Sequence, residues 1–261
     1  MSEPLLSIRD LTISIQEESQ KRILLEGFDL TVMPLQIVAL VGLSGSGKTT
    51  VALSVMRLLS EAFSVEKGKI LFKNENLLEQ EPERMRQLRG KEIGIVFQEP
   101  LNAFNPVFSI GFQIGEVLKA HIPLPSRAAE NRIHQLIEMV GIREPKRIAH
   151  SYPHQLSGGL RQRAMIAQAI AAGPSLLIAD EPTSNLDVTL QAHIMELFQQ
   201  LKERLKISLL LITHDLGMVG HLADEVGILL GGRIVESGPT REVLYNPQHA
   251  FTRELMEALG T

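Results

Sequence analysis

This 261-residue sequence contains no cysteine. Disulfides, thiol catalysis and cysteine-held zinc or iron–sulfur centres are thereby excluded, and the composition suits a reducing compartment. Nor is there an apolar run approaching the ~20 residues that a bilayer-spanning helix requires. The first residues carry Glu3, Arg9 and Asp10 rather than an uninterrupted apolar segment, so no signal peptide is expected. Positive charge is not in excess. With 26 Lys and Arg against 30 Asp and Glu, the net charge is −4, which argues against a broad phosphate-backbone footprint and against nucleic acid as a partner. Internal repeats, low-complexity tracts and sustained heptads are missing as well. What remains is an ordinary globular composition, 44% hydrophobic and 21% charged, on a chain long enough for a sizeable core.

Within it, Gly42-Leu43-Ser44-Gly45-Ser46-Gly47-Lys48-Thr49 fits the phosphate-binding pattern G-x-x-x-x-G-K-[ST] without a mismatch. The apolar run Ile37-Val38-Ala39-Leu40-Val41 leads into it, and residues 50–59, beginning at Thr50, read as the helix that follows. Glycines let successive backbone N–H groups turn inward as an anion nest, and the helix adds its positive N-terminal end. Lys48 brings a point charge to the outer phosphates, and the Thr49 hydroxyl can ligate Mg²⁺. A flexible Gly/Ser loop that happens to hold a lysine is the alternative; the flanking strand and helix weigh against it. The stretch predicts a nucleoside triphosphate ligand.

Taken in order, residues 5–15 and 23–32 read as strands, with a polar hairpin turn over 16–22. Residues 68–72 form a short strand and 82–89 a charged, solvated helix. Ile93-Gly94-Ile95-Val96-Phe97 is a buried strand ending at Gln98. From about residue 100 to 151 the pattern turns helical, broken by prolines at 106, 123, 125 and 145. There Ile133, Leu136, Ile137 and Val140 fall at i, i+3, i+4, i+7, facing a small local core. The α/β pattern resumes at Ser157, with a helix over 160–172 closed by Gly173-Pro174. Strands follow at 176–179, ending in Asp180-Glu181, and at 209–213, ending in His214-Asp215, with an amphipathic helix over 190–205 between them. Residues 226–230 and 233–236 read as paired strands, and 240–259 as mostly helical.

Four apolar strands thus end in Lys48 with Thr49, in Gln98, in Asp180 with Glu181, and in His214. Ligands of open parallel sheets bind beyond the carboxyl ends of the strands, so the four form a constellation. Asp180 is placed to hold the Mg²⁺ shell, and Glu181 to orient and deprotonate a water for in-line attack on a γ-phosphate. Gln98 can complete the metal or water contacts; His214 can hydrogen-bond the γ-phosphate or hold the water. Taken singly, each has an ordinary structural explanation, such as a turn cap or a structural histidine. The eight histidines form no metal-ligand pattern: His150 and His154 are four apart, but Pro153 breaks the helix that would align them.

The stretch Leu156-Ser157-Gly158-Gly159-Leu160-Arg161-Gln162-Arg163 resembles the signature of ATP-binding cassette (ABC) transporter subunits, with Leu160 where Met or Gln is commoner. Ser157 can cap the helix that follows, and two glycines allow close approach to a phosphate. The resemblance implies two cassettes paired head to tail, each signature closing over the partner's nucleotide. It assigns Gly42 to Thr50, Gln98, Asp180, Ser157, Gly158, Gly159, Gln162 and Asp187 to ATP, and Thr49, Gln98 and Asp180 to Mg²⁺. Catalysis would fall to Glu181, His214, Gln98 and Lys48. Ser184-Asn185-Leu186-Asp187 resembles the D-loop, with Asn185 in place of a small Ala.

Within the family the chain is similar to the peptide and nickel importer ATPases. The similarity lies in Phe97-Gln98-Glu99-Pro100-Leu101-Asn102-Ala103-Phe104-Asn105-Pro106, Ser151-Tyr152-Pro153-His154-Gln155-Leu156 and Asn246-Pro247-Gln248-His249-Ala250-Phe251-Thr252-Arg253. A cysteine-bearing tail common among peptide importers is not present, which favours shorter nickel- or metallophore-type members or a shortened chain. The family stacks adenine on an aromatic residue where this sequence has Ile15, with no Tyr or Trp nearby, so a weak grip on the base is expected.

The expected fold is a P-loop NTPase (RecA-like) α/β core carrying an antiparallel β-subdomain. One ABC ATPase domain would span residues 1–261, with a core of about 1–99 and 157–261 and a helical subdomain of about 100–156. The expected function is ATP hydrolysis driving uptake of peptides, nickel or metal chelates, from the cytoplasmic face of a membrane. Two integral membrane permease subunits, a second cassette (the same chain or a related one) and, indirectly, an extracytoplasmic solute-binding protein would complete the system. The rival is a soluble ABC ATPase acting on nucleic acid, ribosomes or cofactor assembly; a single cassette without coiled coils and with acidic charge weighs against it.

Overall fold

The computed structural model describes residues 3–17, 20–184 and 186–258. They form, in chain order, β1 (Leu6–Glu17), β2 (Gln20–Val32), β3 (Ile37–Gly42), α1 (Lys48–Val55), β4 (Phe63–Phe72), β5 (Glu75–Asn76) and α2 (Pro82–Lys91). Next come β6 (Ile93–Val96), α3 (Pro100–Ala103), α4 (Ile110–His121), α5 (Ser126–Met139), α6 (Pro145–His150), α7 (Gly158–Ala169), β7 (Leu176–Asp180) and α8 (Val188–Leu205). The chain closes through β8 (Ser208–Thr213), α9 (Leu216–Leu222), β9 (Glu225–Leu230), β10 (Arg233–Pro239), α10 (Thr240–Tyr245) and α11 (Ala250–Ala258). Two compact units divide these elements: one runs to Met85 and resumes at Ser208, the other is Arg86–Ile207.

The first unit holds an antiparallel sheet in the order β2-β1-β4-β5 and a second group of strands in the order β10-β9-β3-β8. Strand β3 runs parallel to both β8 and β9, while β9 and β10 form an antiparallel hairpin. Parallel strands are covered on both faces and so read as continuous apolar runs. Ile37 to Val41 and Leu209 to Ile212 are each no more than 3% exposed. In the antiparallel sheet β1 buries Leu6, Ile8, Leu11 and Ile13. Its pairing with β2 slips between Ile13 and Ser14, leaving Leu24 as an extra residue in a β-bulge.

In the second unit β6 runs parallel to β7. Helices α4, α5 and α6 bury Ile110, Ile114, Leu118, Leu136, Ile137 and Ile148 in a local core, joined by Val140 just past α5; of the four periodic positions, Ile133 is only half-buried. Ser109 caps α4 by accepting from the Phe112 N–H.

Several boundaries differ from the sequence reading. Strand β4 begins at Phe63, five residues before Gly68, because pairing with β1 draws in the exposed stretch Ser64 to Lys67. Strand β1 runs on to Glu17 and β2 starts at Gln20; residues 18 and 19 of the expected hairpin turn lie outside the described residues. Helix α1 starts at Lys48 and stops at Val55, with Arg57 at φ 49. The C-terminal helical stretch is two helices, parted at 246–249, and Leu259 lies outside the described residues.

Candidate functional site

Strand register in the first unit decides where the phosphate loop stands. Val41 pairs with Thr213, so the glycine-rich stretch and His214 leave parallel strands at one level. Gly47, at φ 104, opens α1. A Cβ there would lie 2.8 Å from Leu25 Cδ2 and 3.2 Å from the Leu24 carbonyl. Gly45, at φ 77, would meet nothing within 4 Å. The loop is therefore packed from behind by β2 and open in front. The Ser46 N–H donates to Leu43 O at 3.2 Å and the Val51 N–H to Gly47 O at 3.1 Å. Lys48 is 6% exposed, and its ammonium donates to Gly42 O at 2.8 Å and Leu43 O at 3.0 Å, lying across the mouth of the loop. Thr49 is exposed while Thr50 is buried. Ser46 Oγ is buried without a protein partner, a polar atom suited to a phosphate oxygen.

His214 is exposed, and Asp215 behind it takes its N–H back to Thr213 Oγ1 and caps α9 by accepting from the Met218 N–H at 3.0 Å. The sheet thus fixes the backbone on both sides of the histidine.

In the second unit Val96 pairs with Ala179, which brings Gln98 level with Glu181, each two residues further on. Gln98 is exposed; Asp180 and Glu181 are 4% and 8% exposed. Glu181 has φ 45, a left-handed conformation that costs a non-glycine residue about 1–3 kcal/mol and persists only when its surroundings impose it. The Ser184 N–H, donating to Glu181 O at 3.2 Å, closes the turn that does so. Asp187 caps α8 through the Leu190 N–H at 3.0 Å; Asn185, beside it, lies outside the described residues.

Ser157 accepts from the Leu160 N–H at 3.4 Å and opens α7. Ser157 and Gly158 are exposed, whereas Gly159 is buried against Leu190, whose Cδ1 would lie 3.1 Å from an added Cβ. Gln162 also faces inward. It is 3% exposed and lines a cavity of about 380 Å³ with Gln98, Glu99, Ser184 and Leu186, and its Nε2 has no partner. Of the four signature residues expected at the nucleotide, Ser157 and Gly158 are exposed and Gly159 and Gln162 are buried.

The sequence reading assigned no role to two arginines of α7, one holding the turn before it and the other the end of α5. Arg161 donates to Pro153 O at 3.0 Å and Leu156 O at 2.7 Å; Arg163 donates to Val140 O at 2.6 Å, and burial lowers its pKa. Their only signal was position, two and four residues after the glycine pair.

The sheet ends, the glycine loop and the α7 turn have counterparts. The ABC transporter family profile matches residues 25–184. The peptidoglycan transport ATP-binding protein YejF of Agrobacterium fabrum is 46% identical over 258 residues, covering 98% of this chain and 47% of that protein. A putative peptide import ATP-binding protein of Brucella ovis is 43% identical, over 98% of this chain and 78% of its own. The oligopeptide transport ATP-binding protein OppD of Bacillus subtilis is 41% identical, over 98% and 72%. The chain therefore spans about half of the first relative and some three-quarters of the other two. Among solved structures, the dimeric cassette MJ0796 shares the fold at a TM-score of 0.81 and 24% identity, over 90% of this chain and 99% of that one. CbiO1 of Clostridium perfringens, part of the ABC transporter complex cbiONQ, superposes at 0.80 and 26%, over 94% and 92%. No helix among the described residues is long and apolar enough to cross a membrane. The fold is the P-loop α/β core with an antiparallel sheet and a helical part, and the chain belongs to the ABC transporter family as an ATPase cassette.

Proposed function

We propose that this cassette hydrolyses ATP to power an importer of peptides, working from the cytoplasmic face of a membrane through two separate permease subunits. Two parallel-strand pairings carry the reading: β3 with β8 levels the phosphate loop with His214, and β6 with β7 levels Gln98 with Glu181. The layout proposed is one domain over residues 1–261, with a core of about 1–99 and 157–261 and a helical subdomain of about 100–156. Nickel or metal-chelate cargo is the narrower alternative. The names of the relatives favour peptides, and cargo choice belongs to the permeases and to a solute-binding protein outside the cytoplasm.

The loop N–H groups from Gly42 to Thr50 cradle the phosphates, and Lys48 exchanges its two carbonyl partners for phosphate oxygens. Thr49, with an exposed hydroxyl, and Asp180 and Gln98 at strand ends are hard oxygen donors that fit Mg²⁺. When bound, that ion neutralises charge developing on the phosphates. Glu181 takes the proton of a water as the water oxygen bonds to the γ-phosphorus. The bond to the β–γ bridging oxygen breaks, and ADP leaves with the electron pair. His214 holds the γ-phosphate or the attacking water. The exposed start of α7, Ser157 with Gly158, would close over the nucleotide of a second cassette, the same chain or a related one, with Gly159, Gln162 and Asp187 in support. Leu101, Val107, Phe108, Phe112 and Tyr152 are 40–68% exposed on the helical part and offer the permeases an apolar surface.

Glu181→Gln tests the reading. Hydrolysis should collapse while an ATP-bound dimer persists, and substantial hydrolysis by the variant would remove Glu181 as the base. Affinity capture of the same variant with Mg²⁺ and ATP from detergent-solubilised membranes should recover two multi-span proteins. Recovery of soluble ribosomal or DNA-bound partners alone would favour a soluble ABC ATPase instead.

A further inference from the structure

We infer that the purine base of the bound nucleotide stacks on Phe63 of β4, on an apolar platform completed by Ile15 and Val65. The inference rests on the nucleotide-site reading above and adds the base-recognition residue. Its direction comes from Leu25. That side chain reaches the phosphate loop, its Cδ2 only 2.8 Å from where a Gly47 Cβ would stand. Leu25 pairs with Ile13, and directly paired residues of antiparallel strands project from one face. Ile15, two residues along β1, projects from that face as well, and it pairs with Phe63 on one side and Arg22 on the other. Val65 pairs with Ile13. The β1–β4 pairing is regular from Ile13 to Ile15, so no slip turns Phe63 to the opposite face.

Burial grades outward along this strip. Ile13 and Leu25 are fully buried beside the loop, Ile15 and Phe63 are half-buried, and Val65 is 42% exposed. A two-residue step in a strand is about 7 Å, which leaves the width of a sugar between the phosphate end and the platform. The strand end is held in place: the Gln16 N–H donates to Ala62 O at 2.8 Å and the Phe63 N–H to Ser60 O at 3.0 Å. At the rim Arg22 is ion-paired with Glu17 at 3.1 Å. An aromatic ring on the strand beside Ile15 supplies the π-face that Ile15 lacks, and any base has a π-face to offer it.

The chain contains no tryptophan, so Phe63→Trp creates a single fluorescent reporter at the platform. Mg·ATP should quench it saturably, whereas magnesium tripolyphosphate, which has no base, should bind without quenching. Phe63→Ala should weaken ATP binding about fivefold to a hundredfold by calorimetry, the loss expected when a base–aromatic stack is removed, and leave tripolyphosphate binding unchanged. Phe63→Tyr should bind ATP as the unaltered chain does, and so should Ile23→Ala, which pairs with Ser14 and projects from the other face. ATP that binds Phe63→Trp without quenching, or Phe63→Ala with unaltered affinity, overturns the platform. If the unaltered chain binds neither ATP nor tripolyphosphate, the nucleotide-site reading itself fails.

Discussion

Replacing Gly47 by alanine should cost the fold far more than replacing Gly45, although both belong to one motif and both have positive φ. An L-residue in the left-handed region costs roughly 1–2 kcal/mol at either position. At Gly47 the added methyl would also lie 2.8 Å from Leu25 Cδ2 and 3.2 Å from the Leu24 carbonyl. Overpacking of that kind adds about 1–3 kcal/mol, because Leu25 is fully buried and cannot swing away. At Gly45 there is nothing within 4 Å to strike. Gly47→Ala should therefore lose about 2–5 kcal/mol and Gly45→Ala about 1–2 kcal/mol. At about 2–4 °C per kcal/mol for a chain of this size, the first should melt roughly 4–20 °C lower and the second only a few degrees lower. Calorimetric melting in nucleotide-free buffer reads the difference directly. A titration with Mg·ATP should then show Gly45→Ala losing affinity out of proportion to its small stability loss, since its methyl enters the open front of the loop. Equal melting losses for the two variants would refute the picture of a loop packed from behind by β2.

Lys48→Ala should weaken ATP binding ten- to a hundredfold, the scale of about 1.5–3 kcal/mol for charged hydrogen bonds, as read by calorimetry; near-normal binding would sink the phosphate-loop assignment. Asp187→Ala removes the cap of α8 and should lower stability by about 1 kcal/mol in chemical denaturation, with Asp187→Ser recovering most of it. Burial pushes the Glu236 carboxyl up, but the N–H groups of Gln248 at 2.7 Å and His249 at 3.1 Å outweigh it and hold its pKa below the ordinary 4.5. A depressed carboxylate stabilises fully above its unfolded pKa and loses that contribution as pH falls through the folded value. Amide protection of Gln248 and His249 should therefore be intact at neutral pH and fall as pH drops below about 4.5, and Glu236→Gln should reduce it at neutral pH while making little difference once Glu236 is protonated.

Much of the architecture was legible because parallel strands advertise themselves. Residues 37–41, 93–96, 176–179 and 209–212 carry no polar side chain, and each run ends where the chemistry begins. The first half of β4 was not legible. Residues 64–67, Ser-Val-Glu-Lys, are exposed and read as loop, and only pairing with β1 makes them strand. Phe63 was invisible for the same reason, since its place beside Ile15 is a matter of register between segments 48 residues apart in number. Glu181 gave no hint of its left-handed backbone, a conformation that sequence patterns signal through glycine or asparagine. Gln162 reads as part of a ligand motif, yet its place on α7 turns it inward.

The bulge at Leu24 reaches further than the strand it interrupts. Its carbonyl would stand 3.2 Å from a Cβ on Gly47 and 2.2 Å from one on Gly232, and the Glu26 N–H donates to Gly232 O at 2.9 Å. The Leu24-Leu25 dipeptide is thus wedged between the phosphate loop and the β9–β10 hairpin, and it tolerates nothing larger than hydrogen on either flank. A saturation screen for nucleotide-dependent growth should score the buried Leu25 as intolerant as Gly47, though its side chain belongs to no motif, whereas Leu24, which makes these contacts through its carbonyl, should accept other side chains. The tolerance map of the phosphate loop would then extend 17 residues upstream of Gly42, onto a strand whose part in nucleotide binding is entirely steric.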